Sequence, residues 1–370
     1  MIILKDKIIE LLNIFYDNGY EAYVVGGYVR DLIMGKESFD IDVCTNATPR
    51  EMKEIFNEIN LPFENYGAVH LSYKNINFEI TTYRMDLEYE DKRKPSKIIY
   101  TDKLIIDLRR RDFTINTLCM DKDENIIDLL DVSEDIDKKI IKSVGNADKK
   151  LKQDSLRILR AIRFATQLDF EIDIELQNAI INNKEAVKGL SFYRKKEELN
   201  KIFSSTNALK GIHLLKSFGI DKYLDINLDN EIVKTNDPIG IWAQVNPVND
   251  YPFTNNEKEY LKAISDVLKD KMITDMELYK YGNYVCYIAC QILKIDPADI
   301  YDRYDNLPIK SKDDIDVSVR EIINILKLDD KSMVKDIIKD LEFKIINGSL
   351  KNEKRKLYKY LIDTHLTNVV

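Results

Sequence analysis

YVVGGYVRDLIMGKESFDIDVCT, residues 23–45, is the stretch whose reading decides the fold. Tyr23-Val24-Val25 is a short apolar run and reads as a buried strand. Gly26-Gly27 follows at once, and Val29 to Met34 reads as one or two helical turns stopped by Gly35. Asp40-Ile41-Asp42 comes next; alternation on a strand puts both carboxylates on one face and turns Ile41 to the core. Carboxylates that close repel unless a cation lies between them. Mg²⁺, a hard oxygen-seeking ion that commonly carries phosphates, fits such a pair. The double glycine lets a backbone approach a phosphate, the helix start behind it offers free N–H groups, and Arg30 adds a charge. Taken singly, Gly-Gly also makes ordinary turns and Asp-x-Asp also makes solvated faces. In this order and spacing they read as a phosphate cradle beside a metal site.

Working outward, a chain of 370 residues can bury a large core and has room for about two to four domains. Its net charge of −8 argues against indiscriminate nucleic-acid binding but leaves room for a local basic groove. Cys44, Cys119, Cys286 and Cys290 form no CxxC pair and have no accompanying histidine cluster, which argues against zinc and for reduced thiols in a cytosolic protein. Residues 1–15 are apolar only at helical spacing and carry acids, so they read as an amphipathic first helix and not a signal peptide; no apolar run reaches membrane-spanning length.

Thr48 is a candidate N-cap with Pro49 at the first helical position, opening a helix to about Glu58. Strands are expected over Ala68–Tyr73 and Ile76–Thr82, joined by a tight turn near Asn75. Glu79 points to the face opposite Phe78. It is either a solvated acid or, if that face carries Asp40 and Asp42, the third carboxylate of a metal-dependent site. Arg84 to Thr101 is densely charged with both signs and contains Pro95, so it reads as a mobile loop. Leu108 to Met120, LRRRDFTINTLCM, returns to order.

Lys149 to Thr166, KKLKQDSLRILRAIRFAT, reads as one helix with a buried face and a basic one. Asp154 and Arg157 stand three apart and share a face; Arg160 continues the row, and Arg163 falls about half a turn round from Asp154. Beyond Phe170 the pattern is almost wholly helical, with Tyr193 to Phe203 amphipathic. Pro238, Pro247 and Pro252 suggest a link around Trp242, a residue that itself reads as core.

Four blocks, GGYVRD with DID, FEITTYR, RRDFTIN and QDSLRILRAIRF, resemble in order and content the class II tRNA nucleotidyltransferases that add CCA, members of the DNA polymerase β superfamily. The resemblance covers roughly the first 200 residues. It implies an α+β protein: a nucleotidyltransferase head with a small mixed β-sheet over residues 1–145, a helical neck over 146–205, and a helical body and tail over 206–370 that bind tRNA. It further implies that Asp40 and Asp42 hold Mg²⁺ and that Gly26, Gly27, Arg30 and Arg111 meet the triphosphate, with Asp112 in the same nucleotide pocket. Asp154 and Arg157 would meet the base, and Arg160 and Arg163 would complete the pocket. The implied partners are tRNA, CTP and ATP, and no membrane. One departure is plain: the family's Glu-Asp-x-x-Arg has Gln153 in place of the glutamate here.

The physics suits that base-reading role. Cytosine and adenine each present an amino donor beside a ring-nitrogen acceptor, matching a carboxylate and a guanidinium. Uracil and guanine present the reverse order and would leave charged groups unpaired. The competing readings are an enzyme that adds only the terminal A, a bacterial poly(A) polymerase, and a catalytically inactive RNA-binding helical protein. The segment Asn65 to His70 lacks the basic residues typical of the poly(A) polymerases, and the retained segment Asp86 to Lys97 favours addition of the terminal A.

Overall fold

The computed structural model describes residues 2–56, 59–63, 67–90, 94–328 and 332–366. The chain forms two compact units, Met1–Ile226 and Asn227–Val370.

The first unit opens with α1 (Ile2–Asp17), which buries Ile8, Leu11, Leu12 and Phe15, a single apolar row at helical spacing. The chain then runs through β1 (Ala22–Val25), α2 (Gly27–Ile33) and β2 (Ile41–Thr45). Thr48 caps α3 (Pro49–Ile55) in a reciprocal box with Glu51, and Pro49 takes the first helical position. This helix ends at Ile55, short of the expected Glu58, which lies outside the described residues. β3 (Ile59–Phe63), which the sequence reading missed, precedes β4 (Ala68–Tyr73) and β5 (Ile76–Thr82). The β4–β5 turn places Lys74 and Asn75 at φ 48° and 64°, the left-handed pair of a tight hairpin.

Where a mobile loop was expected, β6 (Arg84–Glu90) and β7 (Lys94–Tyr100) form a separate antiparallel ribbon. Both strands of a two-stranded ribbon are edges, so a high charge density and Pro95 are compatible with strand structure there. Residues 91–93, within the same expected loop, lie outside the described residues. α4 (Leu104–Arg110), β8 (Cys119–Met120), β9 (Ile126–Ile127) and α5 (Ser133–Asp137) come next.

The main sheet has the order β3-β4-β5-β2-β1-β8-β9. Only β2 and β5 pair in parallel, so the sheet is mixed. Their register sets Asp42 beside Glu79, while β1 sets Val25 opposite Asp42. Val25, Cys44, Tyr83, Leu104, Leu108 and Cys119 form one buried cluster that fixes the sheet to α4.

The expected single helix over Lys149–Thr166 is two helices, α6 (Ala147–Gln153) and α7 (Leu156–Leu168). Asp154 breaks it: its backbone is extended at φ −145° and ψ 106°, and its carboxylate accepts from the Leu156 amide at 3.0 Å. A short acidic side chain that bonds its own backbone two residues on competes with helix continuation. α7 buries Ile158, Leu159, Ile162 and Ala165. A short parallel pair, β10 (Ile140–Ile141) with β11 (Glu171–Ile172), flanks it. α8 (Ile174–Asn183), α9 (Phe192–Phe203), α10 (Ala208–Ser217) and α11 (Asp221–Leu224) follow.

The second unit is helical among its described residues: α12 (Pro238–Val245), α13 (Asn255–Asp270), α14 (Asp275–Leu293), α15 (Ile300–Asp305), α16 (Val319–Leu326), α17 (Ser332–Ile346) and α18 (Lys354–Leu361). The proline-marked stretch is not a bare link. Pro238 starts α12, and Trp242 is fully buried with its ring centroid 5.0 Å from Tyr251 and 5.1 Å from Phe253. Cys286 and Cys290 are free thiols in this unit's core.

Gly211 lets α10 approach α7 and α9. A Cβ there would stand 2.4 Å from Ile202 Cγ2 and 2.6 Å from Thr166 Oγ1. Gly211→Ala should therefore destabilise the first unit by about 1–3 kcal/mol through overpacking, despite alanine's better helix propensity. A lowered urea midpoint at unchanged slope is the expected reading; a midpoint equal to or above that of the parent would contradict it.

Candidate active site

A cleft of about 990 Å³ lies in the first unit. Gly26, Gly27, Arg30, Asp40, Asp42, Glu79, Arg111, Asp112, Asp154, Arg157, Arg160 and Arg163 all line it. Sequence positions more than a hundred apart are thus brought to one concavity, by the sheet on one side and the α6–α7 break on the other.

The floor is the β1–α2 turn and β2. Gly26 has φ 85°, a conformation that side-chain-bearing residues rarely adopt, and a Cβ there would meet Asp42 Oδ2 at 3.5 Å and Arg111 Nη1 at 3.9 Å. No side chain caps the first turn of α2. Asp40 is exposed just before β2, Ile41 is buried, and Asp42 is half-buried on the cleft side. Burial, with the charges of Glu79 and then Asp40 beside it, pushes the Asp42 carboxyl up to about 6. Asp40, Asp42 and Glu79 do not close into one cage: among the described residues, no set of three or more His, Cys, Asp or Glu is arranged to hold a metal ion.

The arginines are held individually. Arg30 is buried; it donates from Nη1 to Asn116 Oδ1 at 2.8 Å and pairs with Asp31 at 2.8 Å. Arg111 follows the last turn of α4 in extended conformation and donates to Asp107 Oδ2 at 3.2 Å. Burial pulls its guanidinium down, but Asp107 and other neighbours outweigh that and keep it charged. Its Nε is buried without a hydrogen-bond partner.

Asp107 was missed by the sequence reading, although its spacing to Arg110 and Arg111 is the three- and four-residue signature of helix-face pairing. It is fully buried and accepts from Arg110 Nε at 2.8 Å and from the Arg84 amide at 3.2 Å. Burial works against its ionisation, and the two arginines more than reverse it, lowering its carboxyl.

Asp112 is the junction between the head and α7. It accepts from the Phe113 amide at 2.8 Å, from Arg160 at 2.6 Å through both Nε and Nη2, and from Asn116 Nδ2 at 3.5 Å. Arg163 lies against Glu198 of α9, with Nε and Oε2 3.3 Å apart and neither satisfied by a hydrogen bond. Burial pulls the Arg163 guanidinium down, against the opposing pull of Glu198. Arg30, Arg160 and Arg163 surround the Phe164 ring, at 5.6, 5.4 and 4.2 Å from its centroid. Arg160, Arg163 and Phe164 belong to α7 and Arg30 to α2, so no spacing within one element joins all of the stack.

Asp154 and Arg157 do line the cleft together, although Asp154 sits in a helix break and not on a shared helix face. Arg157 donates to the Lys150 carbonyl at 2.9 Å, the Gln153 Oε1 at 3.3 Å and the Arg110 carbonyl at 3.3 Å. Gln153 therefore keeps a contact with Arg157, as a neutral acceptor. Asp154 Oδ2 pairs at 3.3 Å with Arg194, another residue the sequence reading passed over.

Comparison with known proteins gives a consistent result. Residues 22–142 match the family described as the poly A polymerase head domain, residues 169–226 a probable RNA- and SrmB-binding site of polymerase A, and residues 247–361 a tRNA nucleotidyltransferase domain 2. The CCA-adding enzyme of Staphylococcus haemolyticus is 31% identical over 377 residues, 93% of this chain and 94% of that protein. That of Bacillus licheniformis is 30% identical over 386 residues, 96% and 97% of the two chains. The crystal structure of the Bacillus stearothermophilus CCA-adding enzyme in complex with CTP superposes with a TM-score of 0.89 at 25% identity, covering 99% of this chain and 98% of that one. The Thermotoga maritima CCA-adding enzyme complexed with tRNA shares the fold, with a TM-score of 0.68 at 17% identity over 96% and 94% of the two chains.

The Asp112–Arg160 pair yields a pH prediction. Burial alone would raise the Asp112 carboxyl, but Arg160 and the Phe113 amide outweigh it and hold it at about 2. A carboxyl lowered in the folded state stabilises the fold above its unfolded value near 4, and that contribution is lost as pH falls through the folded value. The stability gap between the parent and Asp112→Asn should be constant from about pH 7 to 5 and close between about pH 4 and 2. Urea midpoints measured across that range test this; a gap that widens on acidification would contradict it.

Proposed function

The chain belongs to the family of CCA-adding enzymes, and on that premise we propose that it adds cytidine, cytidine and adenosine in turn to the 3′ end of tRNA. It uses CTP and ATP, needs no nucleic-acid template and releases pyrophosphate. The observation that carries this reading is the convergence in one cleft of the Asp40–Asp42 carboxylates, the Gly26–Gly27 turn and the Asp154–Arg157 pair. Residues 1–145 serve as catalytic head and 146–205 as base-reading neck, and 206–370 bind tRNA. The four cysteines are free thiols, which suits work in a reducing cytoplasm.

Asp40 and Asp42 fit a divalent cation, because burial and then the charges of Glu79 and Asp40 disfavour the Asp42 carboxylate, and a positive charge beside it offsets both. Two protein carboxylates leave the other coordination positions to phosphate oxygens and water, the usual habit of Mg²⁺. When bound, Mg²⁺ would neutralise triphosphate charge and ease deprotonation of the attacking 3′-hydroxyl. Glu79 adds the third carboxylate and acts on Asp42 through its charge. Gly26 and Gly27 let the triphosphate lie close to the backbone, and Arg30 and Arg111 supply charge along it. Arg160 and Arg163, stacked on Phe164, with Asp112 as the anchor of Arg160, close the pocket around the nucleotide. Little covalent chemistry falls to the protein in such a transfer; its work is orientation and charge placement. Asp154 accepts from the base amino group and Arg157 donates to the ring nitrogen, which admits C and A and rejects U and G.

The direct test incubates the purified protein with Mg²⁺, each labelled nucleotide, and tRNA ending before CCA or at CC. Incorporation of C, C and A is expected; addition of A to tRNA ending in CC with no C added to the shorter tRNA would replace this reading by an A-only enzyme. Asp40→Ala and Asp42→Ala should each abolish transfer of every nucleotide while tRNA binding, read by gel shift, persists. Asp154→Ala should erode discrimination against UTP by about tenfold or more, the scale of one lost charge-assisted hydrogen bond, whereas Arg30→Ala should weaken all nucleotides alike. Removing the segment between Asp86 and Lys97 should leave addition of both cytidines and lose the terminal adenosine. Equal loss of both would make that segment structural support.

A further inference from the structure

Asp154 and Arg157 are not paired with each other. Each is held by its own partners. Arg157 donates to three neutral oxygens, two of them backbone carbonyls and the third from Gln153. Asp154 is held by the Leu156 amide on Oδ1 and by the Arg194 guanidinium on Oδ2. Arg194 sits in the first turn of α9, where Ser191 caps its backbone amide. One helical turn on, Glu198 faces Arg163, so a single face of α9 presents a positive and then a negative group to two residues that line the cleft. Lys201, near that face, lines the cleft itself.

α9 is itself firmly placed. Lys195, on another face, is buried and donates to the Tyr223 carbonyl at 3.0 Å, while Leu199 and Ile202 are fully buried. The Arg194 contact therefore comes from a fixed support and not from a wandering surface chain. At the α6–α7 break the Asp154 backbone is extended, so helical geometry does not set the direction of its side chain. The two hydrogen bonds to its carboxylate do that instead.

We infer that Arg194 is a specificity-determining positioning residue, holding the Asp154 carboxylate aimed so that it accepts from an amino group of the incoming base. This rests on the reading of Asp154 as the base acceptor. Arg194 takes one oxygen and the Leu156 amide the other, leaving each oxygen a remaining lone pair for the base. A carboxylate turned away would leave the amino group of cytosine or adenine without its acceptor, and their advantage over uracil and guanine would shrink. Removing Arg194 thus relaxes selection between bases and leaves the triphosphate contacts untouched.

The test compares kcat/KM for CTP and UTP on tRNA lacking its 3′ end, and for ATP and GTP on tRNA ending in CC. The proteins are the full-length parent, Arg194→Ala, Arg194→Gln, Arg194→Lys, Asp154→Ala and the Asp154→Ala/Arg194→Ala double variant. Arg194→Ala and Arg194→Gln should lower the CTP:UTP and ATP:GTP ratios by about tenfold, the scale of one charge-assisted hydrogen bond. Arg194→Lys should restore part of that, and the double variant should discriminate no worse than Asp154→Ala alone, since the two residues act as one unit. The glutamine variant keeps a polar side chain of similar reach, so a folding defect confined to the alanine variant does not remove the test. Unchanged ratios, or an equal fall for all four nucleotides, would overturn the inference. If Asp154→Ala also leaves the ratios unchanged, the base-reading assignment itself fails. If Asp154→Ala erodes them and the Arg194 variants do not, only the role of Arg194 fails.

Discussion

Asp112 and Arg160 meet at 2.6 Å, and that contact joins the two halves of the cleft. One partner belongs to the segment after α4, inside the head; the other projects from α7. The contact does not stand alone. Asn116 touches Asp112 on one side and Arg30 on the other, and Arg160 lies over Phe164 together with Arg30 and Arg163. A buried ion pair is weak evidence for stability, because desolvation offsets the attraction; its value is more often in fixing one arrangement. Here it fixes the orientation of α7 against the sheet, and every cleft residue on α7 inherits its position from that.

The arginine density of the cleft poses a problem that the acids solve. Arg30, Arg111, Arg160 and Arg163 would repel one another in an empty pocket. Each has its own carboxylate, from Asp31, Asp107, Asp112 and Glu198 respectively. Arg157 is different, with neutral oxygens around it. A guanidinium kept on carbonyls and an amide retains its field for a ligand, and glutamine at position 153 preserves that where a glutamate would place a full charge beside Arg157. The departure at Gln153 thus has a defined structural meaning: the hydrogen bond is retained, and the charge is not.

Much of this was legible in the sequence because it depends on local rules. The strand–Gly-Gly–helix–strand order around residues 23–45, the Thr48-Pro49-Glu51 helix start and the β4–β5 hairpin follow from turn chemistry and period-two alternation. Two features were misread for identifiable reasons. Charge density suggested a loop over Arg84–Thr101, but both strands of a two-stranded ribbon are edges, where charge and proline are tolerated. Continuous helical spacing suggested one helix over Lys149–Thr166, but the Asp154 side chain captures the Leu156 amide and breaks it. Two partners of cleft residues were hidden for another reason. Glu198 and Arg194 come close to α7 only through helix packing, and no spacing in the sequence encodes a contact between residues about 35–40 apart.

The register of the mixed sheet carries a kinetic consequence. Asp42 stands beside Glu79 through the parallel β2–β5 pair, and β1 must also join β8, nearly a hundred residues along the chain. Pairings between distant segments close late, since the entropy of the intervening chain is lost before any contact repays it. Until the β2–β5 pairing forms, Asp42 and Glu79 are not neighbours. The side-by-side placement of the two carboxylates is therefore a property of the completed sheet and of no local segment.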